Sequence, residues 1–447
     1  MTHVLSHRTS QIPVLKLEGT ECEFKAKRAP EYDGLLRVKD SAFSLSFTYR
    51  YCRLYYTALY IYDRKKRVKP TCAIDLNDAV IGASLNKLRL RIIAKGVTYH
   101  MKARTETDFS RWLEAIREAR EIKEDDEIVL KVYFLDGAFI NVNVTDETTA
   151  EDLWKRICER LSLEDDCRPS FFIWAIGSRL EVLLRNYDKI KDVLRDWNEK
   201  YVPQYSDNLE SPPFVVFRRS PFSQIERELQ FHSEKAIYLL YSEAVFVFLI
   251  NGYYTSRDQR HYLSGLIAHV LFGDAKEGLE AEYRHSLPKL VPGSARALIK
   301  QKKGLKEVRA VQVEHAKHRG TPLEAIYRQF LKVVQALPYY GSVFFFVQDN
   351  TVDKSGYFVG DSDIMCLGVN QLGIHFFIKG KHKFSHPWEN VSYWRMDKST
   401  KRYLYILVRA KKNVYYVLET PACLLINSYA SSMIWRRRLM DLALANK

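Results

Sequence analysis

Paired cysteines are missing from this sequence. The seven thiols, Cys22, Cys52, Cys72, Cys158, Cys167, Cys366 and Cys423, are odd in number and show no Cys-x-x-Cys spacing. That excludes a disulfide framework and a zinc ribbon, and it points to a reducing, intracellular compartment. Long hydrophobic runs are also missing. The longest, AVFVFLI at 244–250, falls far short of the roughly 20 residues that a bilayer span needs. The opening MTHVLSHRTSQIPVLK has no apolar core of signal-peptide length, so any membrane contact is expected to be peripheral. Reaction motifs are missing too: there is no Gly-rich Walker loop, Gly-x-Ser-x-Gly elbow or His-Glu-x-x-His. His315 and His318 stand three apart and His382 and His386 four apart, with no cysteine or carboxylate completing a metal site at recognisable spacing. Gly360-Asp361-Ser362-Asp363 lacks the other ligand positions of an EF-hand. No catalysis, cofactor or metal is expected.

Basic residues are abundant. The chain has 447 residues, 47% hydrophobic and 28% charged, which is enough to bury several cores and suggests roughly three or four domains. Its net charge of +15 is unevenly spread, since residues 123–217 carry 20 acidic against 12 basic side chains while the flanking stretches are basic. Such segregation suits modules that meet different partners or each other. No nucleic-acid motif accompanies the basic balance, and one segment is strongly acidic, so nucleic acid is not expected as a partner.

Residues 16–106 read as short strands, YDGLLRVK, FSLSFTY, RYCRLYY, ALYIYD, CAIDL, LRLRIIA and VTYHMKA, rich in Tyr, Leu, Ile and Val. The period then changes. Phe109, Trp112, Leu113 and Ile116 share one helix face behind Thr107 as N-cap, so a small barrel plugged by a terminal helix is expected. Gly34-Leu35-Leu36, Arg50 to Leu54, Leu59 to Tyr62, Ala73 to Leu76 and Trp112 in the closing helix resemble the pleckstrin-homology (PH) family.

The acidic EIKEDDE at 121–127 marks a boundary. Beyond it come two strands around Asp136-Gly137, a helix capped by Thr149 and Asp152 with Leu153, Ile157 and Leu161 on one face, and the strand FFIWAI. The order suggests a ubiquitin-like β-grasp, with VPQYSDNLESPPF at 202–214 as a long surface loop before its last strand. Residues 223–337 are patterned as helices. The last of them is expected to start at Thr321-Pro322, with Pro322 at the first helical position, to bury Leu323, Ile326, Tyr327, Phe330, Val333, Val334 and Leu337, and to end at Leu337 before Pro338. Gly341 permits a sharp reversal into seven further strands over 342–419, and Thr420-Pro421 opens a closing helix.

Through His315, Gly320-Thr321-Pro322, Leu337 to Gly341, Leu367-Gly368-Val369, Gly373-Ile374 and Pro387-Trp388, the chain resembles the FERM family. The fold class expected is therefore α+β and multidomain: a PH-like β-barrel with a C-terminal helix, then the β-grasp, helical bundle and second PH/PTB-like barrel of a FERM cloverleaf. The divisions expected are a tail at 1–15, a PH-like domain at 16–122, and FERM lobes at 126–218, 219–338 and 339–447. A charged actin-binding tail or kinase domain, which some FERM proteins append, is not expected.

The PH resemblance implies a lipid-binding rim built from Arg37, Lys39, Arg50, Arg64, Lys65, Lys66, Arg67 and Lys69. The family's headgroup signature wants a second basic residue where Thr48 stands, so specific phosphoinositide binding, a weaker membrane-surface contact and a solvated basic hairpin all stay open. In phosphotyrosine-binding-like barrels a peptide adds a strand beside the fifth strand and packs on the closing helix. Carried over, that implies a peptide site at Val391, Tyr393, Trp394, Arg395, Met396, Ile426 and Met433, with Tyr393 or Trp394 facing inward. Lys379, Lys381, Lys383, Lys411, Lys412 and Arg436 to Arg438 form a second basic surface. The function implied is a non-catalytic cytoplasmic adaptor, peripheral at the plasma membrane or cell cortex. It would link phosphoinositide or anionic lipid and the tails of membrane proteins to cytoskeletal proteins. The alternative is a protein-only scaffold or small-GTPase-binding regulator whose PH-like module masks the FERM surfaces.

Overall fold

The computed structural model describes residues 27–28, 31–39, 46–64, 67, 69–121, 127–250, 252–292, 301–351, 364–378, 381–409 and 413–445. The stretch Gly360 to Asp363 lies outside them. The chain is α+β throughout. A first barrel is built from β2 (Glu31–Val38), β3 (Thr48–Tyr55), β4 (Ala58–Tyr62), β5 (Pro70–Asp75), β6 (Val80–Ser84), β7 (Arg89–Ala94) and β8 (Val97–Lys102), in the order β5-β4-β3-β2-β8-β7-β6. Helix α1 (Glu106–Arg120) closes it. Trp112 is 1% exposed and meets Tyr32 edge-on at 4.7 Å, which fixes the plug on the strand that begins the sheet.

Three details depart from the sequence reading. FSLSFTY and RYCRLYY contribute to one strand, β3, and the remaining strand is the unforeseen β6. Its VIGAS sequence has weak strand propensity and is mostly exposed, so pairing with β7 holds it in place. The cap of α1 is Thr105, whose hydroxyl accepts from Asp108 N at 3.1 Å, while Thr107 lies within the first turn.

The second sheet is a β-grasp: β9 (Ile128–Tyr133), β10 (Phe139–Val144), α2 (Ala150–Arg160), β11 (Phe171–Ile176), β12 (Glu181–Leu183), α3 (Ile190–Arg195) and β13 (Phe214–Arg219). The Thr149–Asp152 capping box forms as expected, and Leu153, Ile157 and Leu161 are fully buried. Unexpectedly, β1 (Lys27–Arg28), which precedes the first barrel, pairs in parallel with Ile128 and Val129 of β9. The barrel therefore leaves the β-grasp sheet and returns to it at neighbouring strands.

The 202–214 segment is also not a plain surface loop. Glu210 and Ser211 are 2% and 3% exposed, and the Glu210 carboxylate accepts from Ser178 Oγ and Arg179 N, each at 2.7 Å. The first barrel reaches this segment, because Lys69 donates to Asn208. Contacts within the lobe, to Ser178, Arg179, Asn198 and Trp197, hold Glu210 and Ser211 in place, and none of them shows in the local pattern.

The helical lobe comprises α4 (Ile225–Glu228), α5 (Glu234–Leu249), α6 (Arg257–Phe272), α7 (Glu280–Leu290), α8 (Gln301–Ala316) and α9 (Leu323–Gln335). Pro322 is extended (φ −60, ψ 146), so α9 starts one residue later than expected and Leu323 is exposed. Leu337 N bonds to Val334 O, which tightens the final turn, and regular helix stops at Gln335. Ile326, Tyr327, Phe330 and Val334 are buried. The second barrel follows as β14 (Val343–Asp349), β15 (Ile364–Val369), β16 (Gly373–Ile378), β17 (Lys381–Pro387), β18 (Val391–Met396), β19 (Tyr403–Val408), β20 (Val414–Glu419) and α10 (Cys423–Ala445). Its strand order is β17-β16-β15-β14-β20-β19-β18.

One polar node ties the last three lobes together. Arg219, ending β13, donates from Nε to Glu228 Oε1 at 2.7 Å and from its guanidinium to Ser223 O at 2.9 Å. Glu228 also accepts from Tyr340 OH at 2.9 Å, and the guanidinium lies 4.9 Å over the Tyr340 ring. Asn370 Nδ2 donates to the carbonyls of Pro338 and Tyr340, both at 2.9 Å. Gly341 has φ +69, and an added Cβ would lie 2.3 Å from the Arg219 guanidinium, so glycine is required there.

Next to this node, His375 is held by Asn370 Oδ1 at 2.9 Å and Ser385 Oγ at 2.7 Å. Burial, aided by His382 and His386, pushes its pKa down to about 3. The unfolded chain takes up a proton near the ordinary value of 6.5 while the folded one does not. Stability is therefore full above about pH 6.5 and falls as pH drops from there toward 3. Urea midpoints across that range are expected to decline, and His375→Gln should flatten the slope. A slope unchanged in the variant would show that His375 does not carry it.

Candidate functional site

Strand register decides where each expected basic side chain goes. Arg37 stands opposite Tyr49 on β3 and Lys102 on β8, and Lys102 stands opposite Arg89 on β7. Residues directly opposite share a sheet face, and neighbours along a strand alternate. Leu36, Val38, Leu90 and Met101 fill the barrel interior at 4% exposure or less, so Arg37, Lys102 and Arg89 form one rung on the outside. Arg50 stands opposite Leu36 and belongs to the inner face, at the mouth, where it is ion-paired with Asp63 at 3.3 Å. The rim expected from the sequence is thus divided.

Two aromatic rings organise the outer face. Arg37 and Arg64 lie 5.6 and 5.5 Å over Tyr49, and Lys39 and Arg89 lie 5.7 and 5.4 Å over Phe47. Among the described residues, no carboxylate pairs with Arg37, Lys39, Arg64, Arg89 or Lys102, and Arg37 Nε is buried without a hydrogen-bond partner. Arg67 sits 4.1 Å over Tyr51, and Lys69 is bonded to Asn208. Lys65 and Lys66 lie outside the described residues. Sequence reasoning missed Phe47, Tyr49, Arg89 and Lys102. The alternation Arg89-Leu90-Arg91-Ile92 carried the signal, because it puts both arginines on the face opposite the core.

The second barrel has an edge strand at β18, which pairs only with β19 among the described residues. Tyr393 and Arg395 are exposed on its outer face. Trp394 and Met396 turn toward α10. Trp394 Nε1 donates to Asn427 Oδ1 at 3.0 Å, and its ring meets Trp388 edge-on at 5.9 Å. A bulge between Val391 and Tyr393 leaves Tyr393 to Met396 as the regular part of the edge. Ile426 and Met433, expected along the groove, are 0% and 2% exposed and pack inside the lobe, because they occupy the core-facing side of α10. Asn427 was not foreseen. Lys381 and Lys383 are exposed, and Arg436 stacks 4.6 Å over Phe222. Lys379, Lys411 and Lys412, and the side chains of Arg437 and Arg438, lie outside the described residues.

Of the four spaced histidines, His315, His382 and His386 are engaged by protein groups, while His318 Nε2 is buried without a hydrogen-bond partner. His315 binds Tyr283 OH through Nδ1 and Gly273 O through Nε2, the latter at 2.7 Å. His382 meets Ser385 Oγ at 2.8 Å, and His386 meets Tyr416 OH at 2.9 Å.

Comparison with known proteins bears on this architecture. The PH domain model matches residues 30–121, the RA-like domain model 126–220 and the FERM central domain model 226–345. The chain thus carries a PH domain, an RA-like domain and a FERM central domain in that order. FERM domain-containing protein 8 of Xenopus tropicalis is 30% identical over 253 residues, which cover 50% of this chain and 54% of that protein. FERM domain-containing protein B of Dictyostelium discoideum is 19% identical over 418 residues, covering 68% and 86%. The chain spans about half the length of the FERM domain-containing protein 8 relatives it matches. Among solved structures, the human myosin 7b C-terminal MyTH4-FERM domain, in complex with the harmonin-a PDZ3 domain, aligns with TM-score 0.51 and 19% identity over 74% of this chain and 66% of that one. At that identity the likeness speaks for the fold.

In this PH–FERM arrangement the outer side of β3 and β4 is docked on the first FERM lobe. Tyr55, Tyr56, Tyr60 and Tyr62 are buried and join the apolar cluster of the FERM lobes, while the barrel interior forms a cluster of its own. Arg53 lies 5.2 Å over Phe214 and is ion-paired with Glu31 at 2.7 Å, and Lys95 pairs with Glu199. A cleft of about 1030 Å³ separates the first FERM lobe from α10, with Tyr187, Tyr201, Phe222 and Arg436 on its walls. Tyr429 OH bridges it by accepting from Leu183 N at 3.1 Å.

Proposed function

We propose that the chain is a non-catalytic adaptor at the membrane–cortex boundary. The PH domain rests on phosphoinositide or other anionic lipid, and the third FERM lobe takes the cytoplasmic tail of a membrane protein, bringing both to cortical cytoskeletal proteins. The observation that carries this reading is the open β18 edge beside α10, with Trp394, Met396 and Asn427 between them. An extended peptide added there gains backbone hydrogen bonds from the edge and selectivity from the side chains beneath it.

A tiled array of cytoplasmic-tail peptides from single-pass membrane proteins, probed with the full chain, tests the reading. Binding is expected to weaken at least about tenfold in Trp394→Ala and in Met396→Glu, since a tryptophan that becomes covered by the partner typically dominates such a contact. Tail binding that both variants leave intact, with their melting temperatures unchanged, would overturn the assignment.

A second reading has one observation in its favour. The four buried tyrosines mean that the PH domain covers part of the first FERM lobe, as a masking module would. Small-GTPase capture by strand addition at β10 is less well supported. Arg156 and Arg160 of α2 already donate to Asn143 O and Asn141 O of that strand.

A further inference from the structure

We infer that the PH domain reads a phosphorylated lipid headgroup on the outer face of its sheet, between the Tyr49 and Phe47 rings, and not at the mouth of the barrel. This rests on the membrane contact in the adaptor reading and gives it a location and a ligand chemistry.

Among the described residues the mouth is engaged: Arg50 is paired with Asp63, and its neighbour Thr48 donates to Val38 O at 3.4 Å. An entering phosphate would compete with a carboxylate already in place. The outer face has the opposite character. Tyr49 gathers Arg37 and Arg64, Phe47 gathers Lys39 and Arg89, and Lys102 stands on the rung between Arg37 and Arg89. A second rung continues the patch: Lys39 N donates to His100 O, and His100 stands opposite Arg91. Like charges held this close repel one another, and among the described residues no carboxylate relieves them. A polyanion would.

The geometry also selects the ligand. Guanidinium groups lying over an aromatic ring lose little freedom on binding, and their forks match phosphate oxygens bidentately. Each ring presents one pair of cations, so the face suits a headgroup with at least two phosphate monoesters. A lone carboxylate or a phosphodiester would engage one pair at most. The source assigned is a membrane lipid.

The test is sedimentation of the full chain with phosphatidylcholine vesicles carrying either phosphatidylserine or a bisphosphorylated phosphoinositide, at matched surface charge. Wild type is expected to prefer the phosphoinositide. Arg37→Ala with Arg89→Ala should weaken that binding about 30-fold, from roughly a fivefold loss per basic residue. Arg50→Ala should stay within about twofold. If the double alanine variant melts early, Arg37→Lys with Arg89→Lys keeps the charge and removes the forks, and the phosphoinositide preference should still be lost. Sensitivity to Arg50→Ala with indifference to the double variant would move the site to the mouth and overturn the inference. Equal binding to both vesicle types would overturn headgroup reading yet leave the membrane contact standing, whereas no binding to any vesicle would sink both. Soluble inositol bisphosphate should compete. If it binds while vesicles do not, the lipid assignment fails.

Discussion

Glu228→Ala is expected to cost the protein about 3–5 kcal/mol of folding stability, the range seen when one partner of a buried ion pair is removed. The carboxylate is fully buried against Arg219, itself 5% exposed, and three groups besides the guanidinium Nε use it: Ser223 Oγ, Tyr340 OH and Gln335 Nε2. Alanine would leave a buried guanidinium without its counter-charge at the point where all three FERM lobes meet. The measurement is the urea midpoint of the full chain. Arg219→Met combined with Glu228→Leu should recover much of the loss, because replacing both charges removes the desolvation cost with the pairing. A single-variant loss under about 1 kcal/mol would mean that the node does not hold the lobes.

Tyr60→Asp with Tyr62→Asp is expected to release the PH domain from the FERM lobes without unfolding either. Both hydroxyl groups have pKa values raised by burial, and each ring buried in the interface contributes on the order of 2 kcal/mol. A carboxylate there must reach water, and undocking is the route. The barrel interior is an apolar cluster separate from the FERM core, so it should survive the separation. Small-angle scattering should show a larger radius of gyration, and thermal unfolding should split into two transitions. One cooperative transition at unchanged dimensions would contradict a docked interface.

Much of the fold was legible in the sequence because periodicity reports burial within one element. The α1 plug at Trp112, the Thr149 capping box and the buried face of α9 all came from spacing and local chemistry alone. What stayed hidden depends on contacts between elements. VIGAS forms β6 because a partner strand supplies its hydrogen bonds, and β1 joins a sheet whose next member lies about a hundred residues further on. The 202–214 segment is held down by Ser178, Arg179, Trp197 and Asn198, which lie earlier in its own lobe. The site was legible in residue type but not in direction. Arg37 and Arg50 look like one cluster in sequence, yet the pleat sends them to opposite faces. Ile426 and Met433 lie on the right helix but on its inner side. The outer cationic face became visible only once strand register had set Tyr49, Arg37, Lys102 and Arg89 side by side.

The central claim is that one body presents a lipid-binding PH face while leaving a peptide edge free. Amide hydrogen exchange of the full chain, with and without phosphoinositide vesicles, tests it most directly. Slowed exchange is expected around residues 37–39, 47–49, 89–91 and 100–102, with residues 393–396 exchanging as before. Protection centred on 391–396, or none within the PH domain, would contradict the account.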